Sequence, residues 1–280
     1  MMGKSRMTSR LARGLVVLLL GLFAVYILVP ILWMISSTLR PPMDSFKLPP
    51  AILPSSFEVE NYEVVFQKVA FTKFVFNSFK VSTLSTLLQV LASSMAAFAF
   101  ARLRFRGRNL LFIAFLASLM IPGQVMGIPR FIIMGKLRLI DNHAALILPA
   151  VFGAMGIFLI RQFMLTIPKS YDEAAYIDGA SRGYCYARII LPMTKPALIV
   201  IALQTYIATW NDFYGPLIYI NTEAKMTLPL GLTVLRGVFF SGNQGVVLAG
   251  VVLSLIPPLL LFLLGQRFLL QGITLSGLKG

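Results

Sequence analysis

Tyr206, Trp210 and Tyr214 recur every four residues, so a helix would carry them on one stripe, with Asn211 and Asp212 beside it. Aromatic faces stack on the C–H faces of sugars, and amides and carboxylates accept hydrogen bonds from hydroxyls. The group could therefore line a sugar pathway. An aromatic belt at the membrane interface, with Asp212 bonding a neighbouring helix, fits the same residues. Gln89, Ser85 and Gln204 are further polar candidates in apolar surroundings.

Bond-making chemistry has little to work with. No G-x-x-x-x-G-K-[ST] phosphate loop occurs, so ATP hydrolysis by that route is excluded for this chain. His143, beside Asp141 and Asn142, is the only histidine. Neither a serine nucleophile with a base nor a His/Cys metal cluster can then be assembled. His143 is expected to be a solvated or capping residue, and the single Cys185 a small filler that excludes an intrachain disulfide. No catalytic residue, metal or bound cofactor is expected.

One polar stretch, IPKSYDEAAYIDGASRGYCYARIILPMTKPAL, is too polar to cross a membrane and too patterned for a linker. Ser170 followed by Glu173 has capping-box spacing, which predicts a helix over 171–178 ended by Gly179. A second short helix is expected over 184–190, up to Pro192. Two short amphipathic helices joined at a glycine would make a knob suited to a groove on another protein.

The elements that must position these residues are membrane helices. The 280 residues are 58% hydrophobic and 12% charged, against about 25% charged in soluble domains. Net charge is +15, but this much apolar surface excludes a soluble nucleic-acid binder. Six apolar stretches could cross: 12–38, 73–101, 108–129, 139–165, 196–220 and 244–271. Pro30, Pro122, Pro149, Pro216 and Pro257-Pro258 read as kinks within them. The first stretch is too long for a signal peptide and lacks a small-x-small cleavage site. With the N-terminus inside, 15 of the 25 Lys and Arg fall on the cytoplasmic side, Arg102, Arg104, Arg106 and Arg108 among them as topological anchors. Both termini are then cytoplasmic.

The spacing Glu173-Ala174-Ala175, Gly179, Ile189-x-Leu191-Pro192 resembles the EAA loop of ABC importer permeases. The resemblance covers nearly the whole chain and is to the shorter permease of maltose-type carbohydrate importers. It rests further on Glu60-Asn61-Tyr62, Asn77-Ser78, AFAFARLRFRGR, MIPGQVMGIP, IDNHAALILP, WNDFYGPL and the tail GITLSGLKG. It implies an all-α integral membrane protein with a MetI-like permease core over 73–271. The EAA coupling loop would span 166–195, after an N-terminal tail, first helix and outer loop over 1–72 and before a tail over 272–280. The helix carrying Glu173, Ala174, Ala175, Ile177 and Asp178 would dock in a cleft of a separate ATPase. Glu173 would meet a basic group there, Ala174 and Ala175 would keep the helix slim, and Gly179 would permit the turn.

The resemblance also implies a second permease subunit, two ATP-binding subunits holding ATP and Mg, and an extracytoplasmic solute-binding protein. The setting is the lipid of a bacterial inner membrane. The cargo is expected to be a carbohydrate (sugar, oligosaccharide or polyol), with glycerol phosphate as the alternative. The outer loop over 221–243, with Gly237 and Gly242, would reach toward the binding protein. The first outer loop over 39–72, stiffened by Pro41, Pro42, Pro49, Pro50 and Pro54, could touch it as well. A secondary transporter would need buried ionisable residues and repeats. Only Asp212 qualifies, and no repeat is seen.

Overall fold

The computed structural model describes residues 2–42, 44, 53–239 and 242–277, with side chains over 12–266 of these. Pro49, Pro50 and Lys279-Gly280 lie outside the described residues. Among the described residues the regular elements are all helical, as expected. They form two compact units, Met1–Val69 with Leu232–Ser254, and Ala70–Gly231 with Leu255–Gly280.

In the first unit α1 (Met2–Thr38) runs unbroken through Pro30. Its apolar side chains are exposed throughout Leu15–Leu32, as a lipid-facing helix requires. The loop after it is not simply extended, because it contains α2 (Glu60–Lys68). Asn61, 4% exposed, is the knot of this unit. Its amide donates to the carbonyls of Thr38 (2.9 Å) and Arg40 (3.1 Å) and accepts from Asn243 (2.6 Å). Tyr62 shares a hydroxyl bond with Thr38 at 2.8 Å. Glu60-Asn61-Tyr62 thus closes the loop onto the end of α1, and a side chain at Gly245 would collide with Asn61.

In the second unit α3 (Phe71–Arg102) is the central post, packed against α6 (Ala144–Ala150), α7 (Ala154–Thr166) and α11 (Lys195–Trp210). Small residues on α3 (Ser82, Ser85, Ser93, Ser94, Ala97 and Ala101) are all buried, which lets neighbouring backbones come close.

Four helical stretches are long and apolar enough to cross a membrane: Ala12–Thr38, Phe71–Arg102, Ala144–Thr166 and Gln244–Gln266, the last within α14 (Gln244–Gly277). A fifth exists if Arg182–Met193 and Lys195–Trp210, bent by 76°, count as one. Of the six expected crossings, 108–129 is not one continuous helix. That stretch divides into α4 (Arg108–Ser118) and α5 (Gly127–Lys136). Pro122 disfavours helix at Ile121 before it and supplies no N–H itself. The amides of Leu119 and Met120 fall back onto carbonyls three residues earlier, at 3.0 Å each. The expected crossing over 196–220 also stops early, at Trp210, and resumes as α12 (Tyr214–Tyr219). Of the prolines, Pro257 and Pro258 lie inside α14, Pro149 inside α6 and Pro216 in the first turn of α12, while Pro122 belongs to a break.

The segment from Asn221 onward is not a plain loop either. It holds α13 (Leu228–Val238), preceded by a turn that polar side chains pin down. Asp141, at φ 59°, accepts from the Asn221 and Thr222 amides (3.0 and 2.9 Å), the Thr222 hydroxyl (2.7 Å) and Lys225 Nζ (2.7 Å). Lys225 first, then the Thr222 donors, hold its carboxyl well below the usual carboxylate range. His143 is not merely solvated: its Nε2 lies 2.8 Å from the Lys225 carbonyl. Asn77 donates to the Ala224 and Met226 carbonyls at 3.0 and 2.9 Å, and Ser78 accepts from the Leu228 amide at 2.7 Å.

Candidate functional site

The polar stretch folds as α8 (Ser170–Ile177), a reversing turn, and a second helical run. The expected capping box does not form. Lys169 is the N-terminal flanking residue and no side chain caps the helix. The Glu173 amide is instead satisfied by the Lys169 carbonyl at 3.0 Å, so Ser170 enters the first turn. At the other end Gly179 acts as read. It adopts φ +81°, its amide bonds the Tyr176 carbonyl (3.1 Å), and the Ala180 amide bonds the Ala175 carbonyl (2.9 Å). This pair of reversed bonds is a Schellman closure, which needs a left-handed residue and so favours glycine.

Ser181 then opens the second run by accepting from the Tyr184 amide at 3.2 Å. The run is α9 (Arg182–Tyr184), a π-wound turn over Cys185–Ile190, and α10 (Leu191–Met193). It is longer than the expected 184–190, and Pro192 does not end it. Pro192 sits where a new turn begins and no amide is needed. The run ends at Thr194, whose hydroxyl donates to the Ile190 carbonyl at 2.7 Å, and there the chain bends into α11.

The knob is exposed at its tip and anchored at its root. Ile177 is 85% exposed, and Glu173, Ala174, Asp178 and Gly179 are exposed with it. Ala175 faces inward instead. It packs with Cys185, Ile190, Ile160, Met164 and Ala101, so its small side chain lets α8 lie close to the bundle. Ile189 and Leu191 are half-buried and Pro192 exposed.

Asp172 is the root. It forms an ion pair with Arg102 at 3.1 Å, with side-chain exposures of 9% and 3%. The Cys185 thiol donates to the same carboxylate at 3.3 Å, and Arg102 also donates to the Ile167 carbonyl at 2.8 Å. Arg102 therefore has a structural role beyond its charge: it bolts α8 to the end of α3. The sequence carried one hint, an arginine at the end of an apolar helix and an unassigned carboxylate next to Glu173. Nothing in the spacing joins them across 70 residues.

The aromatic stripe divides. Tyr206 and Trp210 are 8% and 2% exposed and stack on one another at 5.9 Å and 14°. They are packed interior, and neither lines the two cavities beside Asp212. Asn211 is exposed but lines no cavity among the described residues. Asp212, Gln89 and Gln204 do converge, with Thr205 and Thr209, on a cavity of about 410 Å³. A second cavity of about 280 Å³ shares Asp212 and adds Tyr214 and Gln124. Ser85 is fully buried on α3.

Across the Asn211–Phe213 break, Asp212 Oδ1 accepts from the Gly215 amide in the first turn of α12 at 3.1 Å. Glycines let the polar side chains approach. A Cβ at Gly153 would overlap Gln89, and one at Gly127 would overlap the Tyr214 hydroxyl. Arg130 of α5, passed over in the sequence, lines both cavities. Its one signal was a charge inside the apolar run GIPRFIIMG.

With this geometry in place, known proteins supply the comparison. The chain is 36% identical over 200 residues to the arabinooligosaccharides transport system permease protein AraQ of Halalkalibacterium halodurans, covering 71% of each. It is 32% identical over 258 residues to the trehalose transport system permease protein SugB of Mycobacterium tuberculosis, covering 91% of this chain and 93% of that one. Its fold is that of a chain in the crystal structure of a bacterial ABC transporter involved in importing the acidic polysaccharide alginate. The TM-score there is 0.82 at 24% identity, over 93% of this chain and 97% of that one. Residues 89–274 match one family model, and the chain belongs to that family, the inner membrane components of binding-protein-dependent transport systems.

Proposed function

We propose that this chain is the translocating permease subunit of an ABC importer for a carbohydrate, powered by ATP hydrolysis on other chains. The observation that carries this reading is its similarity to permeases named for arabinooligosaccharide and trehalose transport, over 71% and 91% of this chain, together with the exposed tip and bolted root of α8. The remaining components are a second permease, two ATP-binding subunits that hold ATP and Mg, and an extracytoplasmic binding protein. The chain itself binds no cofactor and makes no bonds. Both termini face the cytoplasm, and the permease core lies over 73–271.

The mechanism is mechanical. Glu173, Ala174, Ile177 and Asp178 enter a cleft of the ATPase, where burying Ile177 offsets the cost of docking. When nucleotide closes the ATPase pair, α8 moves with it. Asp172–Arg102 carries that displacement to α3, and the continuous path through Ile189, Leu191, Pro192 and the Thr194 bend carries it to α11. α3 and α11 pack on one another, so the cavity beside Gln89, Gln204 and Asp212 changes shape. The protein thus alternates between two arrangements biased from both ends.

Glu173→Lys tests this reading. Uptake of a radiolabelled disaccharide should fall about tenfold or more, and the ATPase subunit should no longer copurify with this chain in detergent, while the amount of chain in the membrane holds. Normal uptake by the variant would reject the docking role.

A further inference from the structure

The two cavities contain one cation and one carboxylate in their linings, Arg130 and Asp212, and these two are not equivalent. Asp212 is engaged in its own backbone: one oxygen accepts from the Gly215 amide, and the other lies where a Gly215 side chain would stand. The Arg130 guanidinium makes no hydrogen bond or ion pair among the described residues, with Asp212 or with any other group.

The residue is exposed, but its neighbours fix where its backbone stands. Gly127, Arg130 and Met134 lie on one face of α5. Gly127 abuts the Tyr214 hydroxyl, and Met134 is buried in a cluster with Tyr219 and Ile220. Phe131, next to Arg130, stacks on Tyr219 at 6.3 Å and 8°. Arg130 is therefore held on the face turned toward α12, between two packed neighbours. The rest of α5 is exposed Ile128, Ile132 and Ile133. A guanidinium in such a helix is costly unless it faces a polar cavity and has a partner.

A neutral sugar does not need that group, because Gln89, Gln204, Thr205 and Thr209 already supply donors and acceptors for hydroxyls. A planar fork of N–H donors with a fixed positive charge matches a carboxylate or phosphate, each of which takes two parallel bonds. We propose that Arg130 is a specificity-determining residue that favours a saccharide or polyol bearing a negative group, a uronate carboxylate or a phosphate ester. The combined space also suits such a ligand, since small-molecule sites run from about 300 to about 1,000 Å³. This inference deepens the carbohydrate-importer reading and rests on it.

The test uses the whole importer, purified through a tag on this chain and reconstituted with its binding protein in vesicles. Three labelled probes of similar size are compared: a neutral disaccharide, a uronate disaccharide and a glycerol phosphate. The wild-type importer should take up one anionic probe, and which one identifies the carboxylate or the phosphate. Arg130→Gln should lower the ratio of anionic to neutral uptake at least about tenfold. Arg130→Lys, which keeps the charge but loses the fork, should fall between and serves if the glutamine variant fails to insert. Neutral uptake alone by the wild type, or a ratio that moves less than about twofold in both variants, overturns the inference and leaves the importer reading standing. Uptake of none of the three overturns both.

Discussion

The knob around α8 and the cavity around Asp212 handle polar residues in opposite ways. In the knob, the buried polar residues have fixed partners: Asp172 has Arg102 and Cys185, and Thr194 has the Ile190 carbonyl. The tip then exposes Ile177, an apolar side chain, to what surrounds it. Beside the cavity, Tyr206 and Trp210 are withdrawn into packing, and the polar ends of Gln89, Gln204 and Arg130 border open space. A part that transmits force needs a rigid root and a sticky tip. A part that lets cargo pass needs unspent hydrogen-bonding groups and no fixed partner.

Removing the root should have the largest effect. Arg102→Ala leaves Asp172 buried and unpaired, which costs about 3–5 kcal/mol. Thermal unfolding in detergent should show the loss, and it should shrink when Asp172→Leu is added to Arg102→Met. A double variant no better than the single one would remove the ion pair from the account. Next comes the interior of the cavity wall. Trp210→Ala should cost about 3–5 kcal/mol, whereas Asn211→Ala, one residue on and exposed, should stay within about 0.5 kcal/mol. Equal effects would mean that the stripe does not divide as described.

Smaller again, Gly179→Ala forces a Cβ into a left-handed position at a cost of about 1–2 kcal/mol, read by the same melting experiment. The smallest effect concerns pH. The Asp141 carboxyl is depressed by Lys225 and the Thr222 donors, so its contribution is present above the ordinary carboxylate pKa and is lost only as pH falls through the depressed value. The protection factors of the Asn221 and Thr222 amides, their exchange rates divided by the intrinsic rate at each pH, should therefore stay constant from about pH 8 down to about pH 5. Loss of protection within that window would contradict the Asp141 junction.

How far the sequence could be read differs between the two regions for a physical reason. The knob is contiguous, so its glycine stop, its exposed Glu173 and its two-helix form lie in local spacing. Its root was not legible, because Arg102 and Asp172 meet only after α3 and α7 have packed. The cavity is assembled from five separate helices, α3, α5, α6, α7 and α11. Helical periodicity placed Tyr206 and Trp210 on one stripe, but periodicity cannot say whether a stripe faces a neighbour or a void. Similarly, counting apolar residues ran the expected crossing from α4 through to residue 129, the start of α5, because hydropathy does not show that Pro122 breaks the helix rather than kinking it.

The central claim is that the α8 tip is a cytoplasmic peg seated in a separate ATPase. The native thiol, Cys185, is the only one in the chain and is buried, so Ile177→Cys would introduce a single accessible thiol. Cross-linking that thiol in the assembled importer should capture the ATPase subunit, and a membrane-impermeant maleimide added outside intact cells should leave it unlabelled. Labelling from outside, or cross-linking to lipid-facing neighbours with no ATPase captured, would contradict the account.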